Sequence, residues 1–212
     1  MSRLFDFLFN SEKKKKRREI IKPKFPTVAE THQVVGKYLQ GKVIKPMYPC
    51  RTDIPCVCPY CCSKLKSQPN LDYIPNKKKN DLYYTSDGFC IISKRLKDFF
   101  EQNGYQDLTF IKLNNCGFYF FEPNQLFQTN IHWTPFNEFK IWCNACKNFA
   151  ELTGGVLKEE DFKIPTNDFV YRTNDFRGIY EYKYPLIIIG LETEQKMLQS
   201  KMEGITFEKV YG

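Results

Sequence analysis

Two short stretches concentrate the chain's chemistry: Cys58-Pro-Tyr-Cys61, inside "CVCPYCC" (Cys56 to Cys62), and Cys143-Asn-Ala-Cys146. A thiolate is a nucleophile, a redox group and a soft metal ligand, and its surroundings decide which. Two C-x-x-C pairs supply the four thiolates of a tetrahedral zinc site. Each pair can act as a knuckle, a tight turn that aims both sulfurs inward while nearby backbone N–H groups soften the thiolate charge. Four thiolates leave no open position for water, so the zinc expected here, one per chain, is structural and not catalytic. Eighty-one residues, Cys62 to Trp142, separate the pairs. Loop-closure entropy grows only logarithmically with length, so that separation is small beside the roughly 10–16 kcal/mol of structural zinc binding. Cys56 and Cys62 are alternative ligands to their neighbours. Cys90 and Cys116 fall in or beside strand-like apolar stretches and read as buried free thiols. Cys50 stays unassigned.

A second reading of Cys58-Pro-Tyr-Cys61 is a thiol oxidoreductase, because glutaredoxins spell their dithiol this way. That chemistry needs a helix N-terminus at the first thiol to lower its pKa. "YPCRTDIPCV" places two prolines before the motif and "SQPN" interrupts soon after it, so no β-α-β unit surrounds the pair. Other chemistry is sparse. His32 and His132 are the chain's two histidines, a hundred residues apart and in no partnered motif. Glu159 to Asp161 show no paired arrangement, Thr153 to Gly155 read as a turn, and there is no glycine-rich phosphate loop. No nucleophile with a nearby base is legible, and a non-enzyme is expected.

The elements that must position the cysteines belong to a folded, aromatic-rich chain with 16% Phe, Tyr and Trp. The net charge of +8 is unevenly placed. Residues 1–24 hold nine Lys/Arg against three Asp/Glu, a local +6 that leaves +2 for the rest. A basic flexible tail at 1–24 is therefore expected ahead of a single α+β domain at 25–212, whose near neutrality argues against a phosphate-binding face. No apolar stretch approaches a membrane span, and a cytoplasmic protein is expected. "HQVVGKYL" and "GKVIKPMY" read as a short helix and a strand, and Ser67 to Asp81 as an exposed linker.

The best organised part repeats. Gly88 to Leu113 aligns without a gap on Pro185 to Val210, so that Ile91, Ile92, Gln102, Thr109, Phe110 and Lys112 fall on Ile188, Ile189, Gln199, Thr206, Phe207 and Lys209. Each copy reads as an apolar strand, an amphipathic helix and an alternating strand. Phe110 and Phe207 are expected at equivalent buried positions under the helices. Between the copies, Gly117 to Pro123, Phe139 to Trp142 and Asp168 to Arg172 are β-rich by residue type. The fold expected is α+β: two strand-helix-strand units at 88–113 and 185–210 with additional strands, joined by a zinc-ribbon-like module with knuckles at 58–61 and 143–146.

The order of these features resembles the double-CXXCG motif family of bacterial proteins, related to polymorphic-toxin immunity families. The resemblance rests on Cys58-Pro-Tyr-Cys61, Cys143-Asn-Ala-Cys146, "DGFCIISKRLKDFFEQNGYQDLTFIKL" and "LQSKMEGITFEKVYG", and runs from about Cys50 onward. It implies an immunity protein that neutralises a cognate toxin by binding it, with Cys58, Cys61, Cys143 and Cys146 at the motif positions. The family's glycine after each pair, which supplies positive φ, is replaced by Cys62 and Lys147. A zinc-ribbon nucleic-acid binder and a dithiol oxidoreductase are the competing functions.

Overall fold

A computed structural model describes residues 34–76, 79–127, 138–153 and 166–211. The expected tail at 1–24, both histidines and Glu159 to Asp161 lie outside the described residues. The chain segment expected to start as a helix is instead one long strand, β1 (Val34–Ile44). Val34, Val35, Val43 and Ile44 are β-branched, and Gly36 and Gly41 are poor helix formers. Gly41 has a positive reason to be there. A Cβ at that position would sit 2.7 Å from the Leu82 side chain, so only glycine lets the neighbouring strand approach.

The other elements follow in chain order: β2 (Leu82–Thr85), β3 (Cys90–Ser93), α1 (Lys94–Gln102), β4 (Leu108–Leu113), β5 (Phe118–Pro123), β6 (Leu126–Phe127), β7 (Glu138–Cys143), β8 (Asn148–Thr153), β9 (Val170–Ile179), β10 (Tyr184–Ile189), α2 (Leu191–Gln199) and β11 (Ile205–Tyr211). The strands run β4-β5-β3-β2-β1-β10-β9-β8-β7, with β11 on β1 and β6 on β9. Among the described residues there are two α-helices of nine residues each, so the balance expected of an α+β fold shifts to a sheet-rich one. The aromatic and β-branched runs around and between the aligned segments are the cause, since they add strands and no helices. Neither helix is long and apolar enough to cross a membrane. The segment from Ser67 to Asp81 is irregular where described. It is also tied down: the Tyr73 hydroxyl donates to Lys45 O (2.8 Å) and Asn114 N–H to Leu71 O (2.7 Å).

Both aligned segments form strand-helix-strand units, and the spacing holds to the residue. Helix α1 starts at Lys94 and α2 at Leu191, and the following strands start at Leu108 and Ile205, an offset of 97 in each case. In each unit one antiparallel strand is inserted between the two parallel ones: β5 pairs with β3 and β4, and β1 pairs with β10 and β11. A hairpin partner precedes each unit, β2 for β3 and β9 for β10. Left-handed positions recur after the helices as well, Gly104 (φ 75°) with Lys201 (φ 51°), and Asp107 (φ 56°) with Gly204 (φ 70°).

One apolar cluster lies beneath both helices. Ile92 and Ile189 belong to it, as do Phe100 and Met197 at matching helix positions. Where α1 buries Leu96, α2 buries Thr193, whose hydroxyl accepts from Phe169 N–H (3.1 Å) and reaches Asp168 Oδ1 (2.9 Å). The polar replacement is tolerated because its hydroxyl is satisfied. Arg95 of α1 donates to Ser200 O (2.6 Å) and Lys201 O (3.1 Å) beyond the end of α2, which ties one unit to the other. Phe110 and Phe207 do occupy equivalent strand positions against this cluster, but each is only partly buried. They are the third residues of β4 and β11, and among the described residues each of these strands pairs on one side only, with β5 and β1 respectively.

Phe100, fully buried and stacked on Phe121 at 5.1 Å between centroids, should therefore matter more than either. Phe100→Ala should cost about 3–5 kcal/mol in urea denaturation. Phe207→Ala should cost less than half as much, and equal losses would contradict this picture of the core.

Candidate metal centre

The first cysteine pair sits in a miniature hairpin. Val57 and Lys64 form an antiparallel bridge, Cys58 N–H donates to Ser63 O (2.8 Å), and Cys62 N–H closes the turn on Cys58 O (2.8 Å). The second pair sits in the turn between β7 and β8, where Cys143 is in register with Asn148. Each pair thus turns the chain between an opening cysteine and the residue five positions on. Cys62 (φ 58°) and Lys147 (φ 53°) both take the left-handed conformation. The knuckle turns form without glycine at these two positions, and the strain is carried by L-residues at roughly 1–2 kcal/mol each.

The two turns bring their sulfurs together. Cys58, Cys61, Cys143 and Cys146 place all four Sγ atoms within 4.8 Å of one another. Cys58 Sγ lies 3.9 Å from Cys143 Sγ, and Cys61 Sγ 3.7 Å from Cys146 Sγ. Zinc–sulfur bonds of about 2.3 Å in a tetrahedron set sulfurs about 3.8 Å apart, so the cluster fits such an ion. The four are free thiols rather than disulfides. Cys58 and Cys143 are buried, while Cys61 and Cys146 are partly open.

The backbone prepares the sulfurs for negative charge. The N–H groups of Cys61 and Tyr60 hold the Cys58 thiol below its ordinary value. At Cys143 the N–H of Cys146, joined by that of Ala145, brings the thiol down to about 7. Burial, with the neighbouring sulfurs, pushes Cys146 up to about 12. Four adjacent thiols cannot all ionise without a cation, and the same backbone donors would stabilise the thiolates once one is bound.

The remaining cysteines stand apart. Cys56 Sγ donates to Gln68 Oε1 (3.0 Å) and Cys62 is exposed, so neither replaces a member of the cluster. Cys90 is buried in the core and its thiol is pushed well up by that burial. Cys116 is partly buried, with its thiol on Leu113 O (3.0 Å), and Cys50 is exposed beside Thr52 (2.9 Å). Cys58 opens a turn and not a helix, so the helix N-terminus that activates a dithiol oxidoreductase is missing at this thiol.

Sequence reasoning missed the groups that join the two turns. Phe149 O accepts from the Ser63 hydroxyl (3.2 Å) and from the Lys183 ammonium. Ser63 and Phe149 follow the last cysteine of their pairs by two and three residues, which is the one local signal available. Nothing in "EYKYP" distinguishes Lys183 from the chain's other basic residues.

Cys143→Ser should release the bound metal and lower the melting temperature, whereas Cys90→Ser should keep a full complement by elemental analysis. Lys147→Gly should retain the metal and raise stability by about 0.5–1 kcal/mol, because the turn no longer strains a side-chain-bearing residue. A destabilised glycine variant would show that Lys147 serves the turn in some other way.

The chain matches no protein-family model and no curated protein sequence, so the reading of this centre rests on its own geometry.

Proposed function

We propose that the protein works by binding another protein, with zinc as a structural staple, and that it is an immunity protein neutralising a cognate bacterial toxin in the cytoplasm. One observation carries the reading: the metal end of the molecule displays apolar side chains at its surface. Tyr60, between the cysteines of the first turn, is 81% exposed, and Trp142, beside Cys143, is 49% exposed. Ile141 is also exposed and has φ 59°, a backbone conformation that a β-branched residue adopts only under strain. Strain of this kind concentrates at functional positions. The Trp142 ring is held in place by an edge-on contact with Phe149 (4.9 Å) and by its Nε1–H donating to Asn144 Oδ1 (3.1 Å). A fixed aromatic ring loses little entropy on binding and suits an anchor role.

Zinc is favoured as the ion because four thiolates in a closed tetrahedron suit a structural zinc site. A closed shell also leaves the metal no position for substrate, which fits occupancy rather than turnover. The double-CXXCG resemblance supplies the partner class, a toxin.

The test is co-expression with the product of the adjacent gene. Protection and co-purification are expected, with about one zinc per chain. Tyr60→Ala and Trp142→Ala should each weaken the complex at least about 30-fold, the level of an interface hot spot, with metal content unchanged in both and the melting temperature unchanged in Tyr60→Ala. Binding of RNA or DNA with a steep salt dependence, and no complex with the neighbouring protein, would instead establish the nucleic-acid reading.

A further inference from the structure

Lys183 is a buried cation that the thiol chemistry does not require. It is 0% exposed and lies between the short 3-10 turn Tyr180–Tyr182 and β10. Its place is fixed by the backbone: a Cβ on Gly178 would meet Lys183 Cα at 3.3 Å, so the two segments touch directly. The ammonium donates to Phe149 O, the carbonyl that also accepts from Ser63. A carbonyl is a dipole, not a counter-charge, and a buried cation needs one. Desolvation lowers the pKa of Lys183, and the anionic groups opposing that shift are Cys61 first, Cys146 second and Asp175 third. Asp175 itself is engaged by Arg177 at 2.9 Å.

The charges complement each other from the metal's side as well. Four thiolates around a divalent ion carry a net charge of −2, in a site where two of the four sulfurs are shielded from water. We propose that Lys183 is the built-in counter-cation of the metal centre, offsetting part of the tetrathiolate charge and thereby setting its metal affinity. The carbonyl of Phe149 holds the ammonium at the junction of the two cysteine turns. The fold contains its own control. Lys64 is equally buried, but its ammonium donates to Asp87 O and lies 4.1 Å from the centroid of the Phe89 ring, with Asp87 the strongest charge acting on it.

This inference rests on the metal-centre reading, and the experiment separates the two. Zinc affinity of the full chain is measured by competition with a chromophoric chelator for the unaltered protein, Lys183→Met, Lys183→Arg and Lys64→Met. Lys183→Met should bind zinc about 10–100-fold more weakly, the usual effect of removing a group that supports metal ligands. Lys183→Arg should recover most of the loss, and Lys64→Met should leave the affinity of the folded protein unchanged. Lys183→Met should also destabilise the zinc-loaded protein while leaving the metal-free protein no less stable, because without the metal the tetrathiolate charge that offsets the buried ammonium is not assembled. In the cobalt(II)-loaded protein the thiolate-to-cobalt charge-transfer band should move to lower energy, a signature that a merely structural lysine would not produce. Should the Met variant fold poorly, Lys183→Gln against Lys183→Arg makes the same comparison. Equal zinc affinity in Lys183→Met and the unaltered protein overturns the proposal, as does an equal loss in Lys64→Met. If the unaltered protein takes up no zinc, the metal-centre reading fails and this inference fails with it.

Discussion

Four sulfurs from hairpins 85 residues apart meet within 4.8 Å, and that meeting is the constraint on which the metal end of the fold depends. Neither hairpin has a large core of its own. The first is a single bridge between Val57 and Lys64, and the second is β7 with β8 at the end of the described sheet. Short, exposed hairpins are marginal alone in water. A cation shared by both would cross-link them, and the cross-link gains from closing a long loop, because the denatured chain would otherwise explore that whole length freely. The hydrogen bonds from Ser63 and Lys183 to one carbonyl of β8 act in the same direction and set how the two turns face each other.

The rest of the sheet is organised by β1, which pairs with β10 and β11 along its first part and with β2 at Lys42 to Ile44. It thereby completes the second strand-helix-strand unit and connects it to the first. Strand β5 does the corresponding job within the first unit, but it follows its unit in the chain where β1 precedes the other. The constant offset of 97 residues and the shared inserted-strand pairing make the two units structurally equivalent, with this difference of order between them. The equivalence extends into the core, where Ile92 and Ile189, and Phe100 and Met197, are buried at matching positions.

Much of this was legible in the residues. The paired C-x-x-C spacing pointed to the four sulfurs that cluster, though it left Cys56 and Cys62 open as alternatives, and both helices begin at the residues the alignment puts in register. Other features depend on tertiary context. "HQVVGKYL" carries an acceptable helical pattern, yet the described part of that stretch is a strand, because β10 and β11 offer it hydrogen bonds that reinforce the β preference of its valines. The aromatic pair Phe110 and Phe207 was legible as equivalent but not as half-buried, since the depth of a strand position depends on whether its strand has neighbours on one side or on both. The left-handed φ at Cys62 and Lys147 was hidden for a different reason: such a turn position can be taken by residues other than the glycine that usually signals it. Lys183 was invisible because burial of a lysine is decided by what surrounds it in space.

The strained and exposed positions at the metal end fit together with its cross-link. Tyr60, Ile141 and Trp142 sit within or next to the cysteine turns, so any motion of the turns would move all three. On the proposed binding role, that coupling is useful: side chains carried on mobile hairpins must be ordered when a partner docks, and the ordering free energy is lost from the affinity. A metal bound by both turns would meet that cost during folding instead. The counter-cation at Lys183 belongs to the same logic, because a staple that keeps a surface in shape must itself hold its ion tightly, and an uncompensated tetrathiolate in a partly dry site would not. The chemistry of the cysteines then serves recognition without taking part in it, with the reactive groups turned inward and the aromatic ones outward.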